Sequence, residues 1–221
     1  MIDLYEEGAR KHSWWRDWRG QCVAIVASGP SAKRTPVEKL RDRIHVVAVN
    51  DSHQLVPWAD VLYACESEWW VVREQTVKNF AGTRLMHNDE RRTIQNVSKV
   101  TILKRRQMWV DEFQFDKAGV IGSGGNGGFQ ILNLVAQMGA TGIALVGFDM
   151  HPNGSVHWHG LHSSPLRNPD HSRMLEWRRI MDEQAPRLKK YDVDVVNCSK
   201  ESALTAFPKI TIEEMLERWS L

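Results

Sequence analysis

Short, uninterrupted apolar runs rich in β-branched residues recur along most of the chain, and they constrain its fold more than any other feature. A strand with one face in water alternates apolar and polar residues, whereas a strand buried on both faces is apolar throughout. The runs are Cys22–Ala27, Ile44–Val49, Asp60–Cys65, Thr83–His87, Lys99–Leu103, Ile143–Gly147 and Val193–Asn197. They predict a mainly parallel sheet that is covered on both faces.

Helical patterns separate these predicted strands. The predicted helices are Val37–Asp42, Glu66–Asn79, Gly127–Met138, His171–Lys190 and a last helix through Trp219. Pro186 should kink or stop the fourth helix, because proline lacks an N–H group and its ring clashes with the preceding turn. Thr211 and Glu214 form a capping box for the last helix. Strands that alternate with helices predict an α/β fold, here a Rossmann-like open sheet with helices on both faces.

Two segments stand outside this alternation. Residues 1–20 carry Trp14, Trp15 and Trp18 among charged residues and predict an amphipathic helix that packs on the domain or on a second subunit, which would make a homo-oligomer. Residues 149–170 form a long polar insert, and a loop of that length in a compact domain is usually functional or mobile. We expect one α/β domain over residues 21–221, with this insert closing over the ligand as a mobile lid.

The composition excludes several classes of protein. Lys plus Arg is 29 and Asp plus Glu is 27, so the net charge of +2 gives no sequence-wide footprint for nucleic acid. No apolar run approaches the roughly 18 residues of a membrane span, so no membrane partner is expected. The three cysteines are odd in number, and the charged start lacks the apolar core of a signal peptide. A cytoplasmic protein with free, buried thiols is the expectation.

Polar and small residues follow nearly every predicted strand. In open α/β sheets ligands bind at the carboxyl ends of the strands, and converging N–H and hydroxyl groups there suit a phosphorylated ligand. Each residue alone is an ordinary turn residue, but together they predict a small-molecule nucleotide site. The candidates for nucleotide binding are Ser28, Gly29, Pro30, Ser31, Asn50, Asp51, Glu66, Ser123, Gly124, Gly125, Asn126 and Asp149.

The glycine cluster before the third predicted helix matches a dinucleotide-binding pattern. Gly122, Gly124 and Gly127 satisfy G-x-G-x-x-G, and Asp149 lies downstream where an acidic ribose partner is expected. However, residues 116–121 make a poor strand, and the pattern falls in mid-chain after several βα units. We therefore do not predict nicotinamide or flavin binding, although small residues that open a helix still allow a phosphate to approach.

Histidines are concentrated in the insert. His157, His159 and His162 form H-x-H-x-x-H, which can supply metal ligands, a general base with a pKa near neutrality, or incidental surface imidazoles. We favour a base or ligand-orienting group and assign no metal, because the spacing fits no strong zinc signature. Arg167 lies in the same insert, where a guanidinium group can clamp a phosphate.

Several motifs make the chain resemble known families. S-G-P-S follows the first strand, V-V-A-V-N-D ends the second, and I-A-L-V-G-F-D-M precedes the histidine insert. With H-W-x-G-x-H, L-R-N-P and N-C-x-x-x-S-A-L-T-x-F-P, the region from Cys22 to about Leu216 resembles phage proteins labelled norphogenetic protein. The chain also resembles the Campylobacter-type bacterial sialyltransferases and, more distantly, the hydroxymethylpterin diphosphokinase-like proteins.

The sialyltransferase resemblance implies roles for particular residues. It implies that the nucleotide phosphate lies on the loop from Ala27 to Ala32, where Gly29, Pro30 and Ser31 agree with the family pattern and the other three residues depart. It also implies that Asn50 contacts the nucleotide, that Ser123 and Gly124 touch the donor, and that a histidine of the insert is the general base. His162 is our first choice for that base, followed by His159 and His157. Cys198, Ser202 and Leu204 echo a late motif of the family.

One departure concerns the leaving group. The family uses tyrosines to stabilise the departing phosphate, but this chain has three tyrosines, Tyr5, Tyr63 and Tyr191, and none lies in the insert. Arg167, Trp158 or a spare histidine would have to take that role.

These observations support three functional hypotheses. The first is a nucleotide-dependent group transferase, a sialyltransferase-like glycosyltransferase that moves a sugar from a nucleotide-sugar donor to an unidentified acceptor hydroxyl. The second is a pyrophosphokinase-like enzyme, which would need Mg²⁺ on Asp149, Asp51 or Glu66. The third is a non-catalytic phage accessory or morphogenesis protein.

Overall fold

Ten strands and six α-helices are present in the computed structural model, which describes residues 4–88, 93–106, 108–151 and 155–221. The strands are β1 (Cys22–Val26), β2 (His45–Val49), β3 (Val61–Tyr63), β4 (Thr83–His87), β5 (Ser98–Ile102), β6 (Lys104–Arg105), β7 (Met108–Trp109), β8 (Val120–Ile121), β9 (Gly142–Val146) and β10 (Asp194–Asn197). The helices are α1 (Leu4–Lys11), α2 (Ser67–Val72), α3 (Glu74–Val77), α4 (Gly127–Gln137), α5 (His171–Lys189) and α6 (Ile212–Arg218). Residues 1–3 of the N-terminal segment and 152–154 of the insert lie outside the described residues.

Eight of these strands form one sheet in the order β10-β9-β1-β2-β3-β4-β5-β8. Each neighbouring pair is parallel, as in the register that places Ile25 beside Val47 on one side and Leu145 on the other. The chain therefore builds the sheet outward from β1 in one direction through β8, and then places β9 and β10 on the other side of β1. The predicted Rossmann-like α/β fold is confirmed.

Successive residues of the central strands enter two different cores. Ile25 belongs to a cluster with α4 and α5 on one face, whereas Ala24 and Val26 belong to a cluster with α2 and α6 on the other. Because both faces are covered, both sets of side chains must be apolar, and this explains the uninterrupted runs in the sequence.

Three local expectations were wrong. The helix predicted over Glu66–Asn79 is two short helices, since the backbone of Arg73 leaves the helical region (φ −99°, ψ 7°). The helix predicted over Val37–Asp42 is a 3₁₀ turn, Val37–Leu40. Pro186 does not stop α5, which continues to Lys189, and buried residues on both sides of the proline, Ala185 and Leu188, hold that last turn in the core. The capping box of Thr211 and Glu214 is confirmed.

The N-terminal tryptophans do not lie on a helix, contrary to the prediction of an amphipathic helix over residues 1–20. Helix α1 ends at Lys11, so Trp14, Trp15 and Trp18 follow it in an irregular segment. They are buried in the same cluster as Ile25. The backbone N–H of Trp18 donates to the backbone carbonyl of Met138 at the end of α4 (3.2 Å). These side chains therefore complete this chain's own core.

Replacing Trp18 by alanine should lower the free energy of unfolding by about 3–5 kcal/mol, because the side chain is 2% exposed and the lost volume leaves a cavity. Urea denaturation followed by circular dichroism measures this change. Trp109→Ala is the matched control: its side chain is 47% exposed, so the loss should stay below about 1 kcal/mol. Equal losses in the two variants would contradict the assignment of Trp18 to the core.

Candidate functional site

The order of the strands places a crevice between β1 and β9. The chain leaves β1 toward β2 and leaves β9 toward β10 on the opposite side, and such a switch point is where open α/β sheets bind ligands. A cavity of about 190 Å³ lies there, at the carboxyl ends of the strands. The loops after β1, β2, β3 and β9 line it together with the start of α4, the insert and the first turns of α5.

Most of the residues predicted for nucleotide binding do line this cavity. Eight of them contribute to its wall: Ser28, Gly29, Pro30, Asn50, Glu66, Gly125, Asn126 and Asp149. Of the insert residues predicted for catalysis, His157, His162 and Arg167 line the cavity as well. The structure thus brings residues from seven separate segments of the sequence to one place.

The resemblance implied a phosphate on the loop after β1, but hydrogen-bond donors of this loop are already bonded to other residues of the protein. Asp149 accepts hydrogen bonds from the Ser31 hydroxyl (2.8 Å) and the Ser31 N–H (3.2 Å), and the Gly29 N–H donates to the carbonyl of Gly147 (2.9 Å). The Asp149 carboxylate therefore occupies the donors that the loop would offer an anion. Ser31 accordingly lies behind the cavity wall and is a structural residue here.

The start of α4 is the more suitable place for an anion. Asn126 caps the helix by accepting from the Phe129 N–H (2.9 Å), and it also donates to the carbonyl of Gly124 (2.9 Å). Gly127 and Gly128 lie in the first turn of α4, where backbone N–H groups have no carbonyl acceptor within the helix. Both residues line the cavity. The positive end of the helix dipole thus faces the cavity.

Ser123 and Gly124, expected to touch the donor, instead shape this turn. The Ser123 N–H donates to the carbonyl of Val110 (2.7 Å), and the Ser123 hydroxyl accepts from the Gly125 N–H (3.3 Å). Gly124 adopts a left-handed conformation (φ 51°), with the Phe129 ring where a side chain would project. Neither residue is in the cavity wall, because the helix cap turns them toward the core.

The dinucleotide pattern also has a different structural basis from the one expected. Val120–Ile121 forms a strand of two residues before the glycines, at the edge of the sheet and parallel to β5, which agrees with the expectation that residues 116–121 make a poor strand. The other part of the pattern fails, because the Asp149 carboxylate is bonded to Ser31 across the β1–β9 crevice. This pairing leaves Asp149 engaged with the protein where the fingerprint needs a ribose partner.

His157, His159 and His162 converge on one another. Their ring centroids are 4.7–5.1 Å apart, and one nitrogen from each ring can be chosen so that the three lie within 4.8 Å. Gly160 adopts φ 91°, which reverses the chain between the second and third histidines. Asn168 fixes the backbone of His162, accepting from its N–H and donating to its carbonyl (both 2.9 Å). We call these three residues the histidine cluster. His159 belongs to it but is not among the residues that line the cavity.

Asp51 forms the far side of the histidine cluster. Its side chain is 1% exposed, and Oδ2 lies 3.6 Å from His159 Nε2 and 3.9 Å from His162 Nδ1. Arg73 Nε (2.6 Å) and Trp69 Nε1 (3.2 Å) donate to the same carboxylate. Asp51 is therefore not in the cavity wall, and its carboxylate is buried with these partners.

The environment sets the charges of the cluster. Burial lowers the pKa of His157 to about 4, and the neighbouring imidazoles add to this shift. Burial likewise lowers the pKa of His159 and of His162, against the carboxylate of Asp51, which raises both. Burial alone would raise the pKa of Asp51, but the hydrogen bonds from Arg73 and Trp69 outweigh it and hold that pKa below its ordinary value. The cluster is therefore three neutral imidazoles beside one carboxylate near pH 7.

Arg73 and Trp177 are site residues that the sequence did not reveal. Arg73 pairs with Asp51 from the break between α2 and α3, and nothing local in the sequence marks it. Trp177 belongs to an apolar helix stripe, but it lines the cavity, and its Nε1 is buried without a hydrogen-bond partner among the described residues. Gly125 lies against this indole, so the donor is close to the glycine turn.

Gly29 should tolerate no side chain. A Cβ at this position would lie 2.1 Å from Asp149 Oδ2 and 2.4 Å from the Gly147 carbonyl oxygen, so Gly29→Ala must displace Asp149 from Ser31. We expect it to lower the free energy of unfolding by about 1–3 kcal/mol in urea denaturation. The control is Gly127→Ala, whose Cβ would meet its nearest atoms at 3.5–3.7 Å and should be neutral or slightly stabilising. Similar losses in both variants would refute the close packing of the β1–β9 crevice.

Comparisons with known proteins give one structural neighbour and no sequence relative. No family model and no curated protein matches the chain, so the phage resemblance finds no support there. Among solved structures, a sialyltransferase from Campylobacter jejuni, described as in complex with a substrate analogue, cytidine-5'-monophosphate, is similar with a TM-score of 0.49 and 11% identity. The match covers 87% of this chain and 86% of that chain. Within the described residues, no helix combines the length and apolar character needed to cross a bilayer.

Proposed function

We propose that this chain is a nucleotide-dependent group transferase, and specifically a glycosyltransferase that moves a sugar from a nucleotide sugar to an acceptor hydroxyl. The observation that carries the proposal is the cavity at the switch point, which has a helix N-terminus in one wall and the histidine cluster in another. A transferase that acts on an activated phosphate ester needs both an anion site and a group that handles the acceptor proton.

We assign the donor phosphate to the start of α4, the glycine turn and Arg167, which all line the cavity. Helix N–H groups and a guanidinium group are the donors that proteins use for phosphate, and they also stabilise the charge that develops on a leaving nucleotide. Trp177 adds an indole N–H group beside Gly125. These donors take the place of the loop after β1, whose N–H groups are bonded to Asp149 and Gly147.

The acceptor hydroxyl fits the side of the cavity lined by His157 and His162. Their imidazoles belong to the histidine cluster, to which we assign activation of the acceptor as a unit. The insert already lies against the sheet edge, since the backbone N–H of Trp158 donates to the backbone carbonyl of Ser28 (2.9 Å). A lid held in this position would exclude water from the donor.

The carboxylates expected to hold Mg²⁺ in the pyrophosphokinase alternative are differently engaged. Asp149 is bonded to Ser31, and Asp51 faces imidazoles rather than the cavity. Of these three carboxylates Glu66 alone is left in the cavity wall with no such bond described, so two of the three expected Mg²⁺ ligands are engaged elsewhere. The arrangement therefore favours the glycosyltransferase.

Ligand binding tests the proposal most directly. Thermal unfolding should be measured with CMP, UDP, GDP and ATP, with their sugar conjugates, and with the matching nucleosides, each with and without Mg²⁺. A ligand at about 100 times its Kd should add roughly 2.7 kcal/mol of stability. We expect one nucleotide and its sugar to bind without Mg²⁺ and the nucleoside to bind far more weakly. A strictly Mg²⁺-dependent shift with ATP would favour the pyrophosphokinase, and no shift with any nucleotide would favour a non-catalytic accessory protein.

Arg167 provides a sharper form of this test. Arg167→Ala should weaken nucleotide binding by about tenfold or more, the effect of losing one hydrogen bond to a charged group, and leave nucleoside binding unchanged. The control is Arg179→Ala, which removes an exposed arginine of α5 that pairs with Glu183 outside the cavity. Equal weakening by both variants would point to overall charge and away from a phosphate contact.

A further inference from the structure

One ring nitrogen of each histidine in the cluster has no hydrogen-bond partner among the described residues. His157 Nε2, His159 Nε2 and His162 Nδ1 are each buried, and none has a hydrogen-bond partner among the described residues. A buried polar atom without a partner costs about 1–3 kcal/mol, so three of them at one point need an explanation. The His162 side chain is 7% exposed and the His159 side chain 15%, which removes bulk water as the simple answer.

The spacing of these atoms is close to that of ligands around one ion. Four ligands placed tetrahedrally at the roughly 2.1 Å of zinc–nitrogen bonds lie about 3.4 Å from one another. Asp51 Oδ2 is 3.6 Å from His159 Nε2 and 3.9 Å from His162 Nδ1, and the three imidazole nitrogens lie within 4.8 Å. The distances from Asp51 Oδ2 to His159 Nε2 and His162 Nδ1 exceed that spacing by only about 0.2 and 0.5 Å, so small side-chain movements would bring these atoms to bonding distance.

We propose that His157, His159 and His162, together with Asp51, bind one divalent transition-metal ion of the Zn²⁺ class. Imidazole nitrogens suit Zn²⁺, Co²⁺ and related ions, whereas Mg²⁺ requires oxygen ligands in octahedral geometry. One carboxylate beside three neutral ligands reduces the charge of a dication, as in many catalytic zinc sites. The site is therefore distinct from any Mg²⁺ site on the carboxylates of the cavity.

The surroundings hold the four side chains in place. Arg73 and Trp69 orient the Asp51 carboxylate, Asn168 clamps the backbone of His162, and the left-handed Gly160 makes the turn that brings His162 back beside His159. Outer hydrogen bonds of this kind fix ligand orientation in metal sites. His157 and His162 also line the cavity, so an ion at this site would be reached from the ligand side.

The ion would have a chemical role in the proposed transferase, and this part of the inference rests on the proposed function. If the ion expanded from four to five ligands to bind the acceptor hydroxyl, it would lower the pKa of that hydroxyl, and the released proton would pass to solvent water without a free imidazole acting as base. The binding of the metal itself does not depend on that role, and it is measured without any nucleotide.

The test is a titration of chelator-treated protein with Co²⁺, followed by its visible absorption, together with elemental analysis after incubation with Zn²⁺ and dialysis. We expect saturation at about one ion per chain and an intense absorption typical of a four-coordinate nitrogen–oxygen site. His159→Ala and His162→Ala should each weaken the affinity by at least about 100-fold, more than the loss of an outer hydrogen bond. His171→Ala, which removes an exposed histidine at the start of α5, should bind as wild type.

Two results would overturn the inference: no saturable uptake by the wild type, or uptake that the His159 and His162 variants retain. If those variants fail to fold, diethylpyrocarbonate modification of the wild type provides the second readout. Zn²⁺ should then protect His157, His159 and His162 and leave His171 reactive, and the absence of such protection also overturns the inference. Metal uptake without any nucleotide binding would retain this site and reject the proposed transferase, while the reverse result would do the opposite.

Discussion

Replacing Asp51 by alanine should lower the free energy of unfolding of the metal-free protein by about 3–5 kcal/mol. The carboxylate is 1% exposed and accepts hydrogen bonds from Arg73 and Trp69, so its removal leaves these donors buried without an acceptor. It also removes the negative charge beside the histidine cluster. Urea denaturation in the presence of EDTA, followed by circular dichroism, measures the loss.

The control for Asp51 is an ion pair of the same length at the surface. Arg179 and Glu183 lie 2.6 Å apart, as do Arg73 and Asp51, but the two surface side chains are 61% and 56% exposed. Solvent screens such a pair, so Glu183→Ala should cost no more than about 0.5 kcal/mol. A loss for Asp51→Ala within 1 kcal/mol of that control would show that burial adds nothing to the Asp51 network.

The sheet could be predicted because the residues of each long strand themselves indicate that both faces of the strand are buried. Strands such as Cys22–Val26 and Gly142–Val146 are apolar at nearly every position since helices cover both of their faces, and their ends differ from the predicted ones by a single residue. The hairpin of β6 and β7 and the edge strand β8 are two residues per strand, too short to show any periodicity. At the break between α2 and α3, Arg73 pairs with Asp51, which precedes it by more than twenty residues. No local sequence pattern therefore marks this break.

The site could be predicted only as a location. Strand order brings the carboxyl ends of β1 and β9 together, and this was enough to place Ser28, Asn50 and Asp149 around one cavity. The partners of each polar group could not be inferred in the same way. Asp149 binds Ser31 because the two loops face each other across the crevice, a contact between residues more than a hundred positions apart. The convergence of the histidines likewise depends on the turn at Gly160.

A split between turnover and binding should mark the histidine cluster as the catalytic side of the cavity. His162→Ala should reduce group transfer by about 10²–10⁴-fold, the contribution of a group that handles a proton in the transition state. Its effect on nucleotide affinity should stay within about threefold, because Nδ1 of His162 lies 3.9 Å from Asp51 Oδ2 and we assign the phosphate to other residues of the cavity. Single-turnover rates and isothermal titration with the nucleotide identified by thermal shift separate the two quantities.

Arg167→Ala should show the opposite split, because Arg167 lines the cavity and we assign its guanidinium group to the phosphate. It should weaken nucleotide binding by about tenfold while the rate at saturating donor falls much less, since an interaction made equally in the ground and transition states changes affinity alone. His171→Ala, at the exposed start of α5, should change neither quantity. If His162→Ala instead loses nucleotide binding in proportion to turnover, the cluster holds the donor, and activation of the acceptor must be assigned to another part of the cavity.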